Sequence, residues 1–239
     1  MILAILQART SSSRLPGKVL MRLAGAPMIL RQIERVARAR RIDRLVVATS
    51  ENPSDDELAR IVAAQAVPVH RGPLRDVLAR FIGALDAHGP AEHVVRLTGD
   101  CPLADPDVID ATIAHVTGAG ADYGSNTPPR RTFPRGLDVE VMTAGALRAA
   151  AARAVSHEEY EHVTWAMHRH PELYRQAWFS QAADEGEVRW TVDYPHDYDF
   201  VRAVYEALYA DHPAFTSDDV RALVRRRPDL ANFGGERRV

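Results

Sequence analysis

A chain of 239 residues, 46% hydrophobic and 26% charged, is long enough for one large soluble domain with a well-buried core. Its net charge of −2 excludes a general nucleic-acid binder, so any basic site must be local. A single cysteine excludes an intramolecular disulfide, no basic segment precedes the first apolar run, and no apolar run approaches the roughly 20 residues of a membrane span. The expectation is a soluble cytoplasmic protein without nucleic-acid or membrane partners.

In chain order, the apolar strand Ile2–Leu6 empties into a loop that runs from Gln7 to Lys18. This loop holds four small hydroxyl residues, the cations Arg9, Arg14 and Lys18, and a Pro16-Gly17 turn. Phosphate oxygens only accept hydrogen bonds and carry negative charge, and a loop of N–H groups, hydroxyls and fixed cations suits them. Arg9 and Arg14 can fork onto such oxygens and Lys18 can follow as a mobile point charge. A solvated basic surface loop is the plainer alternative. Two familiar phosphate motifs fail here. Ser12 and Val19 stand where a P-loop needs its first Gly and its hydroxyl, and a single Gly excludes GxGxxG.

Leu30, Ile33, Val36 and Ala37 then recur at helical spacing behind Pro27, and Leu45–Ala48 forms a short strand ending in Thr49-Ser50. Ser54 with Glu57 predicts a capping box for a helix carrying Leu58, Ile61 and Val62. Val67–His70 is a third strand, and Leu74 to Leu85 is an amphipathic helix. A fourth strand, His93–Leu97, ends in Thr98-Gly99-Asp100, and Asp105-Pro106 opens the next helix. Strand–helix repeated four times means a parallel sheet. Beyond Gly120 the rhythm changes: strands at 121–125, 137–142, 174–179 and 188–192, and helices at 144–154, from Ser156, at 197–209 and at 217–226. Phe233–Val239 is read as a loose tail.

Ligands of an open parallel sheet bind beyond the carboxyl ends of its strands. The Arg9–Lys18 loop, Thr98-Gly99-Asp100, and Asp193 after the strand 188–192 all fall there. Asp100 and Asp193 facing a triphosphate loop point to Mg²⁺, although each taken alone reads equally as a turn or helix cap. Asp138 and Glu140 share one strand face, and Arg130, Arg131 and Arg135 lie just before, which favours an acceptor pocket over an exposed face. Cys101 reads as a buried inert thiol, and His157, His168 and His170 as surface residues.

The opening resembles that of the sugar-activating cytidylyltransferases, in which a pattern like Gln/Pro-Ala-Arg-x-x-Ser-x-Arg-Leu-Pro-Gly-Lys follows the first strand. Gln7, Ala8, Arg9, Ser12, Arg14, Leu15, Pro16, Gly17 and Lys18 match it. The likeness covers roughly residues 1–210 and is similar above all to the branch named for spore coat polysaccharide biosynthesis protein F. It includes Arg71-Gly72, Asp76-Val77-Leu78 with Arg80, Arg96 to Pro102, Tyr123, Ser125-Asn126, Gly136 to Val141, Glu161 to Thr164 and Arg189 to Asp193.

The resemblance implies a nucleotide-diphospho-sugar transferase-like (Rossmann-like) α/β fold: one domain with a mixed, mostly parallel sheet flanked by helices. Residues 1–120 would form the nucleotide half, 121–210 the acceptor and dimer elements, and 211–239 a closing helix and tail. CTP would be bound by Gln7, Ala8, Arg9, Ser12, Arg14, Lys18 and Thr98, with Arg71, Gly72 and Arg80 near the base. Arg9, Arg14, Lys18 and Asp100 would act in catalysis, and Asp100 and Asp193 would hold Mg²⁺. Arg96, Asn126, Asp138, Glu140 and His162 would receive an acidic sugar, and the protein would be a homodimer through roughly residues 125–180. The alternatives are another nucleotide, an alcohol phosphate or phosphonate acceptor, and a non-catalytic nucleotide-binding regulatory module.

Overall fold

The computed structural model describes all of Met1–Val239. The first strand, β1 (Ile2–Gln7), buries Leu3, Ala4, Ile5 and Leu6 completely, so both of its faces are covered, as a continuous apolar run in a parallel sheet requires. A two-stranded ribbon, β2 (Arg22–Leu23) with β3 (Ala26–Pro27), leads into α1 (Met28–Val36). There follow β4 (Arg44–Ser50), α2 (Asp56–Ala63), β5 (Val69–Gly72), α3 (Val77–His88), β6 (His93–Thr98) and α4 (Pro106–Gly118). The second half holds β7 (Tyr123–Ser125), β8 (Glu140–Thr143), α5 (Ala144–Arg153), α6 (His157–Glu161), α7 (Trp165–Arg169) and β9 (Gln176–Trp178). The chain closes with α8 (Pro195–Leu208), α9 (Ser217–Arg226) and α10 (Pro228–Ala231).

Seven strands form one sheet in the order β5-β4-β1-β6-β8-β7-β9. Only β8 runs against its neighbours; every other pairing is parallel. The strand period of two sorts side chains between two layers. Ala4 and Leu6 join the larger core with α1, α4, α8 and α9, whereas Leu3 and Ile5 join the smaller one with α3 and α5. No helix is long and apolar enough to cross a membrane.

Several local expectations are corrected. Asn52, rather than Ser54, caps the entry to α2, accepting from Ser54 N at 3.0 Å. Glu57 turns outward onto Arg60 at 2.7 Å. Helix α3 starts at Val77 instead of Leu74, because the Asp76 carboxylate accepts from Ala79 N at 2.7 Å and fixes the first turn there. The strand foreseen at 137–142 pairs only from Glu140, since Asn126 takes the backbone before it: its side chain donates to Leu137 O and accepts from Val139 N. Residues 188–192 make a single bridge, Arg135 with Arg189, instead of a strand. The tail is not loose: Arg238 is 0% exposed, accepts from Trp190 Nε1 at 2.9 Å through its carbonyl, and pairs with Asp197 at 3.0 Å.

The outer strands pack tightly enough to be tested. A Cβ built on Gly124 of β7 would press inside van der Waals contact of Ala177 O and the Val116 side chain. Gly124→Ala is expected to cost about 2 kcal/mol by overpacking, lowering Tm by roughly 4–8 °C for a chain of this size in a calorimetric melt.

Candidate active site

The loop after β1 is built by its own backbone and by one distant carboxylate. Gly17 adopts φ 71°, a left-handed turn that Gly enters freely, and its N–H donates to Thr10 O at 2.8 Å. Asp55, completely buried, accepts from both Thr10 N and Thr10 Oγ1 at 2.7 Å, and also from the Ser50 hydroxyl. Burial would raise the Asp55 carboxyl, but these donors outweigh it and hold it below the usual range. Asp55 was missed in the sequence because an Asp beside Pro53-Ser54 reads as a helix cap.

Lys18 leaves this loop almost fully buried. Its ammonium donates to Val192 O at 2.6 Å and to Asp193 at 3.1 Å, and lies 3.6 Å from Asp100. Asp193 reaches this point without a strand: Val192 N and Thr191 Oγ1 both donate to Asp100 O, at 2.8 and 3.2 Å, hooking the two segments together. Asp193 is also gripped by Arg14 at 2.7 Å and Arg189 at 2.8 Å. For Asp100, burial acts to raise the pKa, but Lys18 and hydrogen bonds from Thr98 and Cys101 prevail and lower it. Cys101 is pushed well up, first by burial and then by Asp100, both of which disfavour a thiolate there.

These groups line a cavity of about 330 Å³ at the carboxyl ends of β1 and β6. Gln7, Ala8, Arg9, Ser12, Arg14 and Lys18 face it from the loop, Thr98 and Asp100 from the end of β6, and Arg80 with Val77 from α3. Gly99 permits the closeness of the two strand ends, for a Cβ there would stand 2.9 Å from that of Ala8. Arg80 is 2% exposed; it donates to Pro73 O at 2.7 Å, its Nε has no partner, and burial, then the charge of Arg9, lower it to about 10. An unpaired guanidinium on a cavity wall is a ready partner for an anion or a carbonyl oxygen.

A second cavity of about 770 Å³ adjoins the first, and His162 borders both. Tyr123, Glu140, Thr164, Trp165, His168 and Arg169 also line it, together with Thr127 and Arg131. Glu140 is spent internally: it accepts from Tyr123 OH at 2.8 Å and Thr164 Oγ1 at 2.6 Å and is bonded by Arg96, whose Nε reaches Gln7 at 3.0 Å. Burial opposes its charge, but Arg96 and the hydroxyls keep Glu140 ionised, with its pKa lowered. Arg169 lies over the Trp165 ring at 4.3 Å.

Four predicted site residues lie elsewhere. Arg71 spends its guanidinium on Ser50 O, Asn52 O and Asp56, and Gly72 packs against Arg80, and neither lines either of these two cavities. Asn126 is completely buried with its amide consumed by Leu137 and Val139, and Asp138 is paired with Arg131 at the rim.

The donor set accords with a hard divalent cation. Two carboxylates already share one cation, and the cavity beside them has room for phosphate oxygens and water, the mixed coordination Mg²⁺ prefers. There is no cluster of three or more His, Cys, Asp or Glu ligands, so such an ion would depend on the substrate for much of its shell.

Comparison with known proteins agrees with this geometry. A cytidylyltransferase family profile matches residues 3–213. The chain is 34% identical over 239 aligned residues to spore coat polysaccharide biosynthesis protein SpsF of Bacillus subtilis, covering 96% of both. It is 40% identical over 119 residues to a 3-deoxy-manno-octulosonate cytidylyltransferase of Anaeromyxobacter, spanning 48% of that protein. A solved cytidylyltransferase from Leptospira borgpetersenii superposes with a TM-score of 0.89 at 26% identity, covering 96% of this chain and 95% of that one. The CTP complex of CMP:2-keto-3-deoxy-manno-octonic acid synthetase shares the fold, with a TM-score of 0.67 at 18% identity over 86% of this chain and 98% of its own.

Asp55 offers a direct test of the loop. Asp55→Asn should lose about 2 kcal/mol, since one buried acceptor for Thr10 becomes a donor. The folded pKa is depressed, so the contribution is fully present above the unfolded value near 4 and fades as pH falls through the folded one. Urea melts of wild type and variant should therefore converge below about pH 4. A constant gap across that range would refute the loop anchor.

Proposed function

The chain belongs to the cytidylyltransferase family, and on that premise we propose that it transfers CMP from CTP to a hydroxyl of an acidic sugar in cell-surface glycan synthesis, releasing pyrophosphate. The observation that carries this reading is the hold of Lys18 on both Asp100 and Asp193 inside a cavity walled by Arg9, Arg14, Arg80 and Arg96. Such a wall suits a triphosphate, and Gln7, Ala8, Val77 and Arg80, which line the same cavity, are the groups available to the base.

The acceptor occupies the second cavity, where Arg169 has no acidic partner and Glu140 is already neutralised by its donors. An anionic acceptor is therefore favoured, and an aromatic floor at Trp165 suits a sugar ring. His162, at the junction, orients the acceptor hydroxyl toward the α-phosphorus. The hydroxyl oxygen bonds to that phosphorus as the bond to pyrophosphate breaks, its proton passing to solvent, while Arg9, Arg14 and Lys18 neutralise charge on the phosphate oxygens. Asp100 and Asp193 would hold Mg²⁺, which when bound adds charge neutralisation at the phosphates. Asp100 and Arg80 thus join the loop cations as working residues. Arg96 acts through Gln7 and Glu140, and Asp138 and Asn126 shape the rim. An alcohol phosphate or phosphonate would meet the same cationic lining. Family membership supports an enzyme over a regulatory module.

We further propose a homodimer through residues 125–180, in a cytoplasmic setting that the lone buried Cys101 suits. Two of the four exposed large hydrophobic side chains, Val155 and Leu173, fall in that stretch. Light scattering at micromolar concentration should give twice the 26.5 kDa chain mass; a monomer would sink the dimer.

A pyrophosphate-release assay over sugar-acid acceptors tests the reaction. CTP should exceed ATP and GTP by about a hundredfold in kcat/KM, because a slot that hydrogen-bonds one base edge leaves groups unpaired with another. Asp100→Asn and Asp193→Asn should each abolish turnover with circular dichroism unchanged. Arg169→Ala should raise acceptor KM about tenfold with CTP KM unmoved. A purine nucleotide as the better substrate would overturn the assignment.

A further inference from the structure

The segment after α10 is tied to Asp193 by an unbroken chain of charges. Arg238 Nη2 pairs with Asp197 Oδ1 at 3.0 Å, and both side chains are 0% exposed. Asp197 is forked by Arg189, at 3.1 Å to Nε and 3.0 Å to Nη2, and the same Nη2 holds Asp193 Oδ2 at 2.8 Å. The other oxygen of Asp193 faces Lys18 and Arg14. Asp197 also accepts from the backbone N–H groups of Asp193 and Tyr194 at 3.0 Å, so it sets the main chain as well as the side chain of the site.

Arg238 is anchored from every direction. Its Nε donates to Phe233 O at 3.1 Å, its N–H to Ala231 O at 2.8 Å, and its guanidinium lies 4.7 Å from the Phe200 ring. Arg189 is gripped from both sides, for its N–H donates to Arg237 O at 2.9 Å and its carbonyl accepts from Arg238 Nη1. A segment needed only to cover the core could do so with apolar side chains. Burying a guanidinium is costly unless its partners are fixed, and here they lead to the active carboxylate.

We propose that Arg238 is a positioning residue of the active site, setting Asp193 against Lys18 through Asp197 and Arg189. Two effects follow from its removal. Asp197 loses one of its two arginines while remaining buried, and Arg189, freed on its backbone side, is drawn toward Asp197. Asp193 then loses the brace on Oδ2 and swings about Lys18 and Arg14. The role assigned to Asp193 rests on the functional reading above, whereas its placement does not.

The test uses Arg238→Met, which keeps the stem over Phe200, and Arg238→Lys, which keeps the charge. In crystal structures of the variants, Asp193 Oδ1 should leave Lys18 Nζ by more than about 1 Å in Arg238→Met and stay in Arg238→Lys, whose ammonium still faces Asp197. Mn²⁺ affinity, measured by calorimetry, and kcat should each fall about tenfold to a hundredfold in Arg238→Met, the range typical of partners behind a ligand. In Arg238→Lys both should recover to within about threefold of wild type, and CTP KM should change little in either variant. An unmoved Asp193 in Arg238→Met overturns the proposal, as does a lower Tm with unchanged kcat and Mn²⁺ affinity. Should Arg238→Met fail to fold, Arg238→Gln, which also removes the charge, takes its place: an Asp193 displaced there, with Mn²⁺ affinity and kcat reduced, supports the proposal, and one in its wild-type place refutes it. If Asp193 moves but wild type and Asp193→Asn bind Mn²⁺ alike, positioning stands and the metal reading falls.

Discussion

One buried ammonium organises the active end of this protein. Lys18 joins the loop after β1, the end of β6 and the segment before α8, segments distant in sequence, by contacts to Asp100, Asp193 and Val192 O. A buried lysine is tolerated only when its charge is answered, and two carboxylates answer it. The same arrangement explains why the site needs the whole first half of the fold. β1 and β6 are hydrogen-bonded neighbours, so their ends, Gln7 and Thr98, lie side by side at the rim. Asp55, arriving from beyond β4, holds the loop so that its cations face inward before any substrate arrives.

The electrostatic design is one of local answers rather than net charge. Each buried acid at the site has named donors: Asp100 has Lys18, Asp193 has three cations, Glu140 has Arg96 with two hydroxyls, and Asp197 has two arginines. The cations left without an acid are Arg80 and Arg169, one in each cavity. A molecule at net charge −2 can thus present two positive chambers side by side.

The first half of the fold was legible because its signals are local. Runs such as Leu45–Ala48 and caps such as Asp105-Pro106 are decided by neighbours in sequence, and the structure bears them out. The position of the loop cations and of Asp100 at strand ends was readable from neighbours in sequence, whereas the Asp55 anchor of that loop was not. What failed depended on partners far along the chain. Residues 188–192 carry strand-like side chains but find Asp100 O and the tail instead of a ladder. Arg71 was expected near the base from a matched motif, yet Ser50 and Asn52 carbonyls take its guanidinium. The tail read as loose because nothing near it in sequence shows that Arg238 pairs with a buried Asp197.

The reversal of β8 has a further consequence. Because β8 alone runs antiparallel, β7 and β8 act as one long excursion whose connecting residues, 126–139, hang at the same rim as the β1 loop. The sheet registers on either side, Arg96 with Glu140 and Ser125 with Trp178, are set below that excursion. Only the exposed tip of that connection, around Pro129 and Arg130, can change length and side chains without shifting a β-pair, because Arg135 behind it bridges to Arg189. On the proposed reading, Thr127 and Arg131 beside that tip border the acceptor cavity, so acceptor preference can drift there while Arg135 keeps the segment leading to Asp193 in place.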